Sequence, residues 1–120
     1  MKTIYRIQDI EGRGPWSPGF SHKWIEVRDD HNHLIPYYSE FLDVDFSLRK
    51  KECSIGVGCR TIAQLHRWFT RNEYRALLNY GYAAVKLKAD RIIAESDIQC
   101  VFAQKKPLRK NVTKFALYSE

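Results

Sequence analysis

The length and composition of this chain favour a single folded domain over residues 1–120, because 44% hydrophobic and 13% aromatic residues are too many for a disordered protein. No apolar run approaches the roughly 18 residues of a membrane span, and the first residues lack the apolar region of a secretory signal, so we expect a cytoplasmic protein with no membrane partner. The formal net charge of +6 suits an anionic partner such as nucleic acid, and it suits a well-solvated surface equally well.

The first segment is predicted to be a β-strand. Residues 2–10 alternate between two faces, and Tyr5 and Ile7 lie on the face that offers the better contact with a core. Arg6 lies on the opposite face, which we expect to point toward solvent or a cleft.

A loop rich in glycine and proline follows this strand. Residues 11–20 contain three glycines and two prolines, which excludes a helix or an inner strand. Trp16 and Phe20 lie in this loop, where their rings could line a ligand site or fold back over the core as a lid.

The next polar segment carries metal-binding residue types. His31 and His33 stand beside Asp29 and Asp30, and such side chains can bind a metal ion. No further ligands follow at a recognised spacing, so we interpret the segment as a solvated turn and expect no metal. The pattern of residues 31–52 predicts no role for them.

Two successive capping boxes predict a helix, a sharp corner and a second helix. Thr61 with Gln64 begins the first helix and Thr70 with Glu73 begins the second, since each threonine can accept from a backbone N–H that the helix leaves unpaired. Gly81 fits the position after the second helix, where a left-handed backbone is usual.

Alternating segments on both sides of this helix pair predict further strands. They cover residues 53–59, 82–88, 98–103 and 112–118. Residues 90–97 are predicted to be a connection between two of these strands. We therefore predict an α+β fold, with a twisted, mostly antiparallel sheet and the helix pair packed on it.

The three cysteines are predicted to be reduced thiols. Cys53, Cys59 and Cys100 form no C-x-x-C motif, and any pairing leaves one of them over. Cys100 alternates with apolar neighbours and is interpreted as a small core residue.

The C-terminal part of the chain is basic, because residues 98–119 contain no acid. Lys105, Lys106, Arg109 and Lys110 are the candidates for contact with nucleic-acid phosphates or with the acidic face of a partner protein. The alternative is a solvated surface that keeps the protein soluble.

The order of segments also resembles a known superfamily. A strand with YRI, a glycine-rich loop, a helix with QLHRWF, and strands with GYAAVKL and DIQCVF resemble small phage and bacterial proteins of the ADP-ribosyltransferase-like superfamily. The resemblance implies NAD as cofactor, Arg6 and Gln99 as catalytic residues, and a first-strand residue that holds the nicotinamide ribose or amide. It likewise implies that Tyr5, Arg6, Trp16 and Phe20 bind the cofactor.

The late strand departs from the pattern of that superfamily. Gln99 stands where an active enzyme carries glutamate, and an amide can hold a ribose hydroxyl but cannot stabilise positive charge as a carboxylate does. Glu95 and Asp97 are nearby acids that could take this role. Alternatively, Arg6 and Gln99 are polar residues on the solvated faces of two strands, so catalysis is left open.

Three functions remain open on the sequence. The first is an NAD-binding, ADP-ribosyltransferase-like phage protein that modifies or blocks a host protein or nucleic acid. The second is a non-enzymatic phage or prophage inhibitor, such as an anti-defence protein, that binds a host protein or ribonucleoprotein. The third is a basic nucleic-acid-binding module that uses the tail and exposed aromatic rings.

Overall fold

Antiparallel β-pairing dominates the fold. The structure is a computed structural model and describes residues 2–16, 20, 23–26, 34, 36–42 and 54–119. Its elements, in chain order, are β1 Lys2–Gln8, α1 Tyr37–Glu40, β2 Ser54–Gly58, α2 Ile62–Trp68, α3 Arg71–Asn79, β3 Ala83–Ala89, β4 Arg91–Glu95, β5 Cys100–Gln104 and β6 Thr113–Phe115. Among these described residues, no helix is long and apolar enough to span a membrane.

The strands of the described chain form two three-stranded antiparallel sheets, with strand orders β1–β3–β6 and β2–β5–β4. The sheets meet where Tyr5 of β1 and Cys59, directly after β2, exchange two backbone hydrogen bonds of 2.8 Å. The predicted α+β class with antiparallel pairing is therefore confirmed, and the pairing is divided between two sheets rather than one.

The two sheets bury a shared layer of side chains. Ile4 of β1 packs with Leu87 of β3 and Phe102 of β5, and Ile4 and Phe102 are wholly buried. Arg6 lies on the same face of β1 as Ile4, because side chains two apart on a strand point the same way. The alternative that Arg6 lies on a solvated face is wrong, since the second sheet covers that face.

The opposite face of β1 is covered by the helix pair. Ile7 belongs to a second cluster that includes Leu65 of α2 and Leu77 of α3, and all three side chains are buried. Tyr5, on the same face, is only partly buried at the edge of this cluster. The predicted core face of β1 is thus confirmed for Ile7, but both faces of the strand are buried.

The two predicted helices are confirmed in detail. In each helix the N-cap threonine accepts from the backbone N–H of the third residue, and that residue's side chain accepts from the threonine N–H. The pairs are Thr61 with Gln64 and Thr70 with Glu73. Gly81 follows α3 with φ of 89°, a left-handed conformation that glycine adopts without the steric cost of a Cβ.

The segment predicted as a connection at residues 90–97 is instead largely a strand. β4 pairs with β5 from Arg91–Ala103 to Glu95–Cys100, with an irregularity between Ile92 and Ala94. The observed strand β5 begins at Cys100, two residues later than predicted. Gln99 therefore lies in the turn before the strand rather than within it. The prediction failed because the bulge interrupts the simple alternation that marks a strand.

The described cysteines are buried free thiols, as the sequence predicts. Cys59 and Cys100 both lie in the core, and Cys100 is wholly inaccessible to solvent. Burial raises the pKa of each thiol to about 12. Cys53 lies outside the described residues.

Candidate ligand-binding cavity

A cavity of about 840 Å³ lies beside strands β1 and β2. Those strands, the loop at residues 12–16, helix α1 and the end of helix α2 contribute to its lining. Small-ligand sites typically have volumes of roughly 300–1,000 Å³. Arg6, Trp16 and Gln99, three predicted site residues from separate segments, all line this cavity.

Arg6 places a buried positive charge at the cavity. Its side chain is 6% exposed, and Nη2 donates to the carbonyl oxygen of Gly12 at 3.4 Å. Nε and Nη1 have no hydrogen-bond partner within the described part of the chain. Burial lowers the pKa of Arg6 to about 10, although attraction to Asp9 opposes this shift. At neutral pH the guanidinium therefore stays charged, and two of its donor nitrogens are unpaired within the described residues.

Gly56 of β2 makes room for this guanidinium. A Cβ at Gly56 would meet Nη1 of Arg6 and would lie 2.7 Å from Cζ of Phe102. Gly56 and Phe102 are opposite each other in the ladder of β2 and β5, and Cζ of Arg6 lies 5.9 Å from the Phe102 ring centroid. The arginine thus occupies the gap above an aromatic ring, where the ring face attracts a cation.

A group of aromatic rings forms another side of the cavity. The centroid of Trp16 lies 4.7 Å from that of Trp24, and 5.9 Å from those of both Trp68 and Phe69. Trp16 is 47% exposed, and both Trp16 and Trp68 line the cavity. These contacts fix an accessible ring on a loop, which suits stacking with a planar ligand group. All three tryptophans of the chain belong to this group.

Gln99 is held by the carboxylate of Glu40, a residue that no sequence pattern marks. Its side chain is 4% exposed, which excludes the alternative of a solvated strand face, and Nε2 donates to Oε1 of Glu40 at 2.8 Å. Oγ of Ser96 donates to the same oxygen at 2.9 Å. Glu40 ends the short helix α1, in a region whose pattern is compatible with irregular structure or one short helix but predicts no role for Glu40, so only the tertiary contact reveals it.

Two residues that the resemblance assigned to the cofactor do not line the cavity. Tyr5 lies on the face of β1 opposite Arg6, and its ring contacts Phe115 edge-on at 5.7 Å between centroids. Phe20 packs between Tyr80 and Tyr82, at 5.2 and 5.4 Å between centroids. The structure therefore places both rings outside this cavity: strand alternation directs Tyr5 away from it, and Phe20 packs against the core cluster.

Three of the four basic residues singled out in the tail share a second recess. Lys105, Lys106 and Lys110 line a space of about 390 Å³ together with Lys88 of β3. Arg109 is exposed but does not line it. The recess joins residues that are distant in sequence, so the tail alone does not define this basic surface.

The candidate metal residues 29–33 lie outside the described part of the chain. Among the residues that the structure describes, no group of three or more histidine, cysteine, aspartate or glutamate side chains could hold a metal ion.

One comparison with known proteins bears on origin. A family model with the description "Bacteriophage T4 Y00F protein" matches residues 1–116. No curated protein and no solved structure matches the chain. The family description names a phage protein and no activity, so the likeness to ADP-ribosyltransferase-like proteins rests on the sequence pattern alone.

Proposed function

Since the chain belongs to the bacteriophage T4 Y00F protein family, we propose a function for a phage protein: it binds a nucleotide-class ligand, with NAD as the first candidate, in the cavity beside Arg6. The ligand would place a phosphate on the guanidinium and a planar ring against the tryptophan group. This proposal concerns binding, and any chemical step is a separate matter.

The unpaired nitrogens of Arg6 carry the proposal. A buried donor without a partner costs about 1–3 kcal/mol, and a charged one costs more, so a folded protein seldom keeps one without a reason. Within the described residues Arg6 keeps two, Nε and Nη1, and its side chain contributes to the cavity lining. Guanidinium nitrogens donate strong hydrogen bonds to phosphate oxygens, so a bound phosphate would accept from the guanidinium and offset the burial of its charge.

The tryptophan group supports a ligand that also carries a ring. Trp16 and Trp68 line the same cavity as Arg6, and their flat faces can stack on a nucleobase or a nicotinamide. A simple inorganic anion would use the arginine and leave these rings without a role. The volume of about 840 Å³ also suits a ligand much larger than a single phosphate.

ADP-ribosyl transfer would require a further group. A carboxylate must bind the ribose and stabilise positive charge at the scissile carbon, and the amide of Gln99 cannot do so. Glu40, whose Oε1 accepts from Gln99 Nε2, is our candidate for this role. Release of nicotinamide from NAD by the wild type, and its loss in Glu40→Gln with NAD still bound, is the measurement that tests it.

Binding is tested by thermal denaturation with and without millimolar NAD. At a ligand concentration 100 times Kd the complex gains about 2.7 kcal/mol, which raises Tm by roughly 10 °C in a chain of 120 residues. We expect this rise in the wild type and in Arg91→Ala, an exposed arginine on β4. Tryptophan fluorescence should change with the same Kd. The absence of any NAD-dependent shift in the wild type would rule out NAD as the ligand.

Arg6→Met separates a ligand-binding role from a structural one. Methionine keeps the unbranched stem and removes the buried charge, so the free protein should be as stable as the wild type or more stable. The NAD-dependent rise in Tm should disappear. If the free variant instead loses several degrees of Tm, Arg6 is a structural residue and the proposal is wrong.

A further inference from the structure

The second recess of about 390 Å³ is rich in lysine. Lys88 reaches it from the end of β3, and Lys105, Lys106 and Lys110 come from the turn after β5. Asp90 is the acid in the lining, so the recess carries four positive side chains against one negative. We call these four residues the lysine recess.

Hydrogen bonds to backbone groups, several of them from side chains, hold the turn that carries three of these lysines. The N–H of Lys105 donates to Oδ2 of Asp90 at 2.8 Å, which ties the start of the turn to the loop between β3 and β4. Nε2 of Gln104, a buried side chain, donates to the carbonyl oxygens of Lys106 and Pro107 at 3.0 Å each. The N–H of Lys110 also donates to the carbonyl oxygen of Pro107 at 3.0 Å. The positions of the lysines are thus set by the fold.

The charges of the lysine recess are not neutralised within the described chain. Asp90 uses one carboxylate oxygen on a backbone N–H, and no ion pair joins a carboxylate to the four ammonium groups among the described residues. Nζ of Lys88 donates to the hydroxyl of Thr3 at 2.6 Å, which leaves its charge in place. Clustered like charges repel one another, so a polyanion that occupied the recess would relieve this repulsion.

We propose that the lysine recess binds the phosphate backbone of double-stranded nucleic acid without regard to base sequence. Ammonium groups are compact point charges that attract phosphate oxygens at any base sequence. The lining contains no aromatic ring on which an unpaired base could stack, which favours a duplex over a single strand.

The test is fluorescence anisotropy of labelled 20-base-pair DNA and RNA duplexes, and of a single strand, over a range of salt concentrations. Each phosphate contact contributes a slope of about −0.9 to log K against log salt, so four contacts predict a slope near −3.6 for the wild type. The double variant Lys105→Gln/Lys106→Gln should reduce the steepness by about 2 and weaken binding roughly 10- to 100-fold at 0.1 M salt. Lys88→Gln/Lys110→Gln should act similarly.

The matched control is Arg67→Gln/Arg75→Gln, which removes the same charge from exposed positions on α2 and α3. It should keep the wild-type slope, and the lysine variants should keep the wild-type Tm because the lysine side chains are exposed. Equal loss of slope in the control would show that net charge, and not the recess, drives binding and would overturn the proposal. So would tighter binding of the single strand, or no duplex binding at low salt. Binding of one duplex type alone would support the proposal and identify the nucleic acid.

Discussion

Glu73 provides the sharpest test of how the helix pair is fixed. Its side chain is 0% exposed, and its two carboxylate oxygens serve two different backbone donors. Oε1 accepts from the N–H of Thr70 at 2.8 Å, and Oε2 accepts from the N–H of Glu26 at 2.9 Å. The first bond closes the capping box of α3, and the second attaches the segment at residues 23–26 to that helix.

Glu73→Gln preserves the shape of this side chain but removes one acceptor. The amide nitrogen would face a backbone N–H, so one of the two donors would lose its partner in a buried site. An unpaired buried donor costs about 1–3 kcal/mol, and the remaining bond also loses its charge assistance, so we expect destabilisation by about 2–4 kcal/mol. The unfolding entropy of a chain of 120 residues is about 0.25 kcal/mol/K, which converts this loss to a Tm lower by roughly 8–16 °C.

Thermal and urea denaturation followed by circular dichroism measure this change. The matched control is Glu95→Gln, whose carboxylate is half exposed and pairs with Nη1 of Arg60 at 3.2 Å. Exposed ion pairs contribute about 0–1 kcal/mol, so the control should move Tm by only a few degrees. If Glu73→Gln destabilises the protein no more than Glu95→Gln does, the double acceptance at Glu73 does not stabilise the fold as argued.

Two further predictions concern the core beside the cavity. Gly56→Ala should lower stability by about 1–3 kcal/mol in urea denaturation, because its Cβ would overlap the space of the Arg6 guanidinium and of Phe102; unchanged stability would mean that the arginine moves aside freely. Because burial raises the pKa of Cys59 and Cys100 to about 12 from an unfolded value near 9, their stabilising effect is complete below pH 9 and declines as pH rises toward 12. In a Cys53→Ser background, a thiol reagent at pH 8 should therefore react only after urea unfolds the protein, and rapid reaction of the native protein would contradict their burial.

The helix pair was predictable because its signals are local. Thr61 and Gln64, like Thr70 and Glu73, lie three residues apart, and that spacing alone brings each side chain to the other's backbone N–H. The choice between glutamine and glutamate at the third position depends on distant partners. Gln64 donates through Nε2 to the carbonyl oxygen of Asp97 at 2.9 Å, which a carboxylate could not do. Glu73 must instead accept two hydrogen bonds, from the backbone N–H groups of Thr70 and Glu26.

The candidate site was predictable only in part. The resemblance selected Arg6 and Gln99, and the loop composition selected Trp16, and these three residues do line one cavity. Glu40 was not predictable, because its contact with Gln99 joins positions 59 residues apart and no periodic pattern surrounds Glu40 in the sequence. Phe20 lies away from the cavity because a glycine-rich loop can direct a ring either way, and its ring contacts Tyr80 and Tyr82, at and just after the end of α3.

By itself, the sequence determined the elements that depend on near neighbours: the alternation of β1, the two capped helices and the glycine that ends the second helix. Only the tertiary structure decided which faces are buried, because a strand pattern does not say how many sheets cover it. The second sheet covers the face of β1 that carries Arg6 and so buries this cation. Gly56 has no Cβ to fill the space in which the guanidinium lies. Likewise, the lysine recess exists because the pairing of β4 with β5 brings Asp90 and Lys105 together from positions 15 residues apart.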